Sequence, residues 1–200
     1  MRCRILAATI LVSFTATLAI AADDPKAKAA AQQQAEMEAM MKAATPGDAH
    51  KKLGAMVGTF NSDVKMWMEP GAPPTGGTGV SENTWALDGR FVQQQFSGTF
   101  MGMPFHGIGY TGYDNIKKKY IGSWMDNMST SMMVSTGTPD PGGRSITFMS
   151  TMDDPMTGKS SEVKETVTVV DNDHHTLEMW GADPDGKMFK MMEIAYSRKK

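Results

Sequence analysis

Five side chains in the middle of this sequence have types suited to holding a small molecule: Arg90, His106, Tyr113, Trp124 and Asp126. An arginine directly after a turn presents a fixed, planar cation that fits a carboxylate. The same arginine serves equally well in a salt bridge pinning the end of a domain. Trp124 and Asp126 stand two apart, so on an extended strand they share a face. That pairing offers an apolar wall beside an acceptor, or else a core indole next to a carboxylate that caps a turn. Histidine would be needed for haem, and there are four: His50, His106, His174 and His175. His106 is the one expected inside a strand, but Ile108 and Tyr110 share its face and no second ligand is signalled. His174 and His175 follow Asp171-Asn172-Asp173 in what reads as a turn, and their side chains would point oppositely if extended. No cofactor is therefore expected.

Sulfur offers a second chemistry. The chain holds 20 methionines. Met66 with Met68, and Met101 with Met103, would each place two thioethers on one face of a strand, and soft thioethers suit Cu(I). The plainer account is that flexible methionine fills core positions. Leucine is scarce after the first residues, occurring only at Leu53, Leu87 and Leu177. Enzyme signatures are missing: there is no Gly-x-Ser-x-Gly elbow, no nucleotide-binding loop and no His-Glu metal motif. Asp171-Asn172-Asp173 is too short for a calcium loop. A catalytic role is not expected.

The elements that would position these residues follow from texture along the chain. Arg2 and Arg4 precede an uncharged apolar run of 16 residues, Ile5 to Ile20, and Ala19-Ile20-Ala21 supplies small residues for a signal peptidase. A spanning helix needs roughly 20 such residues. Residues 1–21 thus read as a cleaved signal peptide, and the product as periplasmic or secreted with no stable membrane span. Cleavage also removes the single cysteine, Cys3, and with it any disulfide or thiolate chemistry. The formal net charge of −2, with both signs mixed, argues against a nucleic-acid partner.

Residues 22–46 are rich in Ala, Gln, Lys, Glu and Met and read as a helical or flexible leader ended by Pro46-Gly47. Met37, Met40, Met41 and Ala44 recur at helical spacing, and Asp48 is placed to cap a second short helix to about Ala55. From there to residue 200 one domain is expected. Gly and Pro punctuate it every 8 to 12 residues, and ten strands are expected: 59–68, 79–87, 91–101, 105–113, 119–127, 131–137, 145–152, 160–170, 176–182 and 187–197. Val163, Val167 and Val169 share one face, with Glu162, Lys164, Thr166 and Thr168 opposite. In the last strand Met188, Met192, Ile194 and Tyr196 fall on one side and Glu193 and Ser197 on the other. Gln93, Gln95, Ser97 and Thr99 share a face that would give the interior a polar lining. The fold class expected is all-β: an up-and-down antiparallel β-barrel of about ten strands, preceded by one or two short N-terminal helices.

An ordered string of glycine, proline and aromatic residues runs from Leu87 to Gly137: Leu87-Asp88-Gly89-Arg90-Phe91, Gly102-Met103-Pro104-Phe105, Gly107-Ile108-Gly109-Tyr110-Thr111-Gly112-Tyr113-Asp114, Lys118-Lys119-Tyr120 and Trp124-Met125-Asp126. With Gly58-Thr59-Phe60 before it and Tyr196-Ser197-Arg198 behind, it resembles the bacterial domain-of-unknown-function family 1579 over roughly residues 48 to 198. Asp88 stands where that family would have a second glycine, and Phe60 where it would have tryptophan. The resemblance implies a calycin-like barrel, similar to lipocalins and nitrobindins, and no established activity. A small, partly apolar molecule in the lumen is then the first expectation. A filled barrel with a structural or interaction role, and a Met-rich Cu(I) binder, are the alternatives. Oligomeric state stays open.

Overall fold

The computed structural model describes residues 24–200, so the expected signal peptide and Cys3 lie outside the described residues. Two compact units divide after Lys42. In the first, helix α1 (Pro25–Ala44) is one continuous 20-residue helix. None of its residues is buried, and Met37, Met40 and Met41 are all exposed. Its own side chains brace it, through Gln32–Glu36 and Gln34–Glu38 hydrogen bonds at i,i+4 spacing.

The second unit is a closed barrel. Helix α2 (Asp48–Lys52) and a 3-10 turn (Leu53–Met56) lead into β1 (Gly58–Met66) and β2 (Thr75–Ala86). Then come β3 (Phe91–Phe100), β4 (Met103–Asp114), β5 (Lys119–Asp126) and β6 (Met133–Pro139). The last four are β7 (Ser145–Asp153), β8 (Ser160–Val169), β9 (His174–Ala182) and β10 (Met188–Arg198). Each strand pairs antiparallel with its sequence neighbours, and β1 closes the ring on β10, in register from Phe60↔Arg198 to Met66↔Met192. Closure leaves no free edge. All ten expected strands are present, with ends displaced by a few residues.

One end of the barrel is plugged. Leu53 is fully buried with Val92, Tyr120 and Phe148, and Ala49, Met56 and Tyr113 pack around them. Tyr120 donates its hydroxyl to the Ala49 carbonyl at 3.2 Å. Gly47, not Asp48, holds the position before α2, and its N–H donates to His50 Nδ1 at 3.0 Å. Asp48 instead pairs with Lys51 on the surface. Arg198 closes this end from the last strand. Its guanidinium donates to the carbonyls of Val57 at 2.8 Å, Ala55 at 3.3 Å and Asn172 at 2.8 Å. It also lies 4.5 Å over the Phe60 ring. One guanidinium thus ties the 3-10 turn, β1, β10 and the β8–β9 turn together.

Three sequence expectations change here. In β3 the inward residues are Val92, Gln94 and Phe96, so the Gln93, Gln95, Ser97 and Thr99 face is the outer one. In β10 a bulge between Lys190 and Met192 inverts the alternation, so Met188 stands exposed while Met192, Ile194 and Tyr196 face in. Methionine is a minor part of the core: the buried apolar side chains among the described residues are Leu53, Phe60, Val92, Phe96, Tyr120, Phe148, Val163, Ile194 and Tyr196, with Met56 and Met192 packed partly buried against them.

Candidate functional site

Inward residues of neighbouring strands leave a cavity of about 150 Å³ in the lumen. Val92, Phe148, Val167, Leu177 and Ile194 give it apolar walls, and Met56, Met133, Met179 and Met192 line it from both ends. Trp124 forms another wall. Its indole lies over Gly107 and Gly109 of β4, where a Cβ on Gly107 would collide with the ring and one on Gly109 would come within 3.0 Å. These two glycines make room for the ring. Trp124 donates Nε1–H to Asp126 Oδ2 at 3.0 Å, while Asp126 Oδ1 accepts from the Met128 N–H at 3.0 Å. Asp126 therefore orients the indole and caps the chain beyond β5.

Polar groups enter the lumen from β2, β3, β8, β9 and β10. A hydrogen-bonded ladder starts at the plug: Asn83 Nδ2 donates to the Met56 carbonyl at 2.7 Å, and Ser81 Oγ donates to Asn83 Oδ1 at 2.8 Å. Gln94 Nε2 then donates to Ser81 Oγ at 2.7 Å and, more weakly, to the Tyr196 hydroxyl at 3.5 Å. His175 stacks on Tyr196 with centroids 4.3 Å apart and meets the Phe60 ring edge-on at 4.6 Å. Burial, helped by the nearby Arg198 charge, pulls its imidazole down to about 4, so it is neutral. Burial likewise pushes the Tyr196 hydroxyl up to about 12, against the pull of the Gln94 hydrogen bond.

Glu165 is the one carboxyl among the described residues that line this cavity. It is only 8% exposed, lines the cavity, and has no hydrogen-bond partner among the described residues. Burial alone raises its carboxyl to about 7. Such a group is costly to keep unless something pairs with it. Ser62 and Ser150 also carry buried hydroxyls without a partner among the described residues.

The structure scatters the five residues named from sequence. Trp124 lines the cavity and Asp126 is bonded to it. Tyr113 packs at the plugged end, edge-on to Tyr120 at 5.0 Å and to His50 at 5.8 Å. Arg90 sits in the β2–β3 turn, donating to the Leu87 carbonyl at 3.0 Å, with the exposed Asp88 carboxylate 3.9 Å away. His106 is on the outer face, against Ser97 Oγ at 3.3 Å. Of the four methionines considered for copper, Met68 lies beyond the end of β1 and Met101 occupies the β3–β4 turn at φ 50°. Neither pair therefore shares a strand face.

Sequence reasoning missed Glu165, although two-residue spacing places it with Val163 and Val167 on the buried side of β8. It also missed His175. Taken for a turn residue, it is instead in β9 and faces inward with Leu177 and Met179, while His174 turns outward to Asp171 at 2.8 Å.

A family described as Protein of unknown function (DUF1579) has a model that matches residues 45–198, from just before α2 to Arg198. The chain belongs to that family. The DUF1579 region therefore takes in the plug, all ten strands and the arginine that closes them. No curated protein matches the sequence. Among solved structures, a redesigned β-barrel is similar over 74% of this chain and 96% of its own, at 13% identity and a TM-score of 0.39.

Proposed function

We propose that this DUF1579 barrel is an exported binding protein that holds one small, partly apolar molecule in its lumen. The observation that carries the reading is the cavity of about 150 Å³ with the unpartnered Glu165 carboxyl on its wall. Apolar walls with a few convergent polar groups are the usual make-up of a small-molecule site. A dry cavity of this size in another protein accepts a molecule the size of benzene. The occupant is thus a single ring or a short chain, well below haem in size. Export rests on Arg2, Arg4, the Ile5–Ile20 run and Ala19-Ile20-Ala21.

Native mass spectrometry of the full-length gene product recovered from its exported compartment, with metal analysis on the same sample, tests the proposal. A stoichiometric added mass of one small organic molecule, lost on unfolding, is the expected result. A clean apo mass, together with no thermal shift from a panel of single-ring compounds, would leave the barrel a structural or interaction module. Stoichiometric copper without an organic mass would move attention from the lumen to Met66, Met68, Met101 and Met103.

A further inference from the structure

The lumen's charge pattern narrows the class of occupant. Among the described residues, no lysine or arginine lines the cavity. Arg198, whose charge acts on the cavity-lining His175, spends its donors on the carbonyls of Val57, Ala55 and Asn172 and on Asp173 Oδ1. Asn83, Ser81 and Gln94 donate within their own ladder, and the Thr111, Ser123 and Ser135 hydroxyls that also line the cavity carry no charge. Glu165 alone brings a group able to carry negative charge, and it has no partner among the described residues. Its flanking strands contribute nothing that would neutralise it: β7 presents Phe148 and Ser150, and β9 presents Leu177, Met179 and the neutral His175. The other titratable group facing the cavity is Tyr196, which stays protonated. A glutamine would fill the same space without the cost of burying a carboxylate, so what the carboxyl adds is charge. Trp124, Phe148 and Tyr196 also line the cavity, and aromatic rings attract a cation electrostatically.

We propose that the lumen of this barrel selects a small organic amine, a single-ring or short-chain ammonium ion whose charge pairs with Glu165 and whose carbon skeleton lies against Trp124, Phe148 and Val167. The inference rests on the lumen-binding reading above and names its ligand class. An anion would meet an unpaired carboxyl and no cation. A neutral hydroxyl or amide could donate a hydrogen bond to the carboxyl but would leave its charge unbalanced.

Benzylamine, benzyl alcohol and benzoate share one ring and differ in the charge of one substituent, so titration calorimetry with all three separates the cases. Measured at pH 8, where the Glu165 carboxyl is ionised, benzylamine should bind at least about tenfold more tightly than benzyl alcohol, and benzoate should not bind. Glu165→Gln should bring benzylamine down to the alcohol's affinity, with an unchanged circular dichroism spectrum showing that the barrel stands. The wild-type rank order decides the matter even if the variant misfolds. Benzyl alcohol or benzoate binding as tightly as benzylamine would overturn the amine inference while leaving the lumen reading in place. Absence of binding by all three would sink the lumen reading, and the inference with it.

Discussion

Glu165 and His175 face the same lumen and titrate in opposite senses. The Glu165 carboxyl is raised from its ordinary 4.5 to about 7, so the folded chain keeps a proton that the unfolded chain releases above 4.5. Stability therefore falls as pH rises from 4.5 through 7, and above that the ionised, buried carboxylate costs about 3 kcal/mol. His175 is lowered from 6.5 to about 4 and stays neutral in the fold, so its contribution is lost as pH drops from 6.5 through 4. Between them the pair favours a mildly acidic optimum, near about pH 5.5. Urea denaturation across pH 5 to 8 should show wild-type stability level to within about 1 kcal/mol, because the loss at Glu165 offsets the gain at His175, and Glu165→Gln rising by about 2 kcal/mol toward pH 8. A wild-type curve that rises toward pH 8 as steeply as the variant's would mean that the carboxyl finds a partner or water in solution, and that its isolation is not real.

At the scale of elements, the plug and the arginine clasp hold one end of the barrel. Leu53 sits on a 3-10 turn too short to be stable alone, and its side chain fills the space between Val92, Tyr120 and Phe148. Leu53→Ala should cost about 2–5 kcal/mol, read as a lower melting temperature, with hydrogen exchange loosened first in residues 48–57. A loss below about 1 kcal/mol would show that the plug adapts to the missing volume. Sequence period alone reached far into this architecture: turn residues such as Asp88-Gly89 and Pro184-Asp185-Gly186 divided the strands because their backbone preferences are local. Sidedness was harder. In β8 the valines marked the buried face and Glu165 went in with them, legible by spacing but hidden by its polarity. In β3 the polar Gln93 and Gln95 stand at the same two-residue spacing as Val92, Gln94 and Phe96, so composition could not say which set faces the lumen. The Met191 bulge, which turns Met188 outward, depends on pairing with β9 that no local pattern encodes. Arg198 was similarly obscure, because its partners lie some 140 residues earlier in the chain.

Across the whole molecule, methionine divides by place rather than by core packing. The strand directions put the plug and the β2–β3, β4–β5, β6–β7 and β8–β9 turns at one end. At the other end Met68, Met101, Met103, Met128, Met132, Met152, Met156 and Met188 are exposed. Met133, Met179 and Met192 lie deeper, on the cavity wall, beside Trp124. A flexible thioether layer of this kind lets a barrel admit a ligand by side-chain rotation while its hydrogen-bonded ring stays closed. Oxidation separates the two sets, because peroxide reaches exposed sulfur first. Peptide mapping should find Met156 at 91%, Met101 at 76% and Met68 at 67% exposure converted to sulfoxide well before Met133, Met179 and Met192. Oxidation of the rim alone should change stability by less than about 1 kcal/mol, since those side chains support no core contact. Oxidation of the cavity set should instead lower binding of any lumen ligand, because a sulfoxide is polar and bulkier than the thioether it replaces. If Met179 and Met192 oxidise as fast as Met156, the lumen opens to solvent readily, and a ligand held there would exchange too quickly to survive purification.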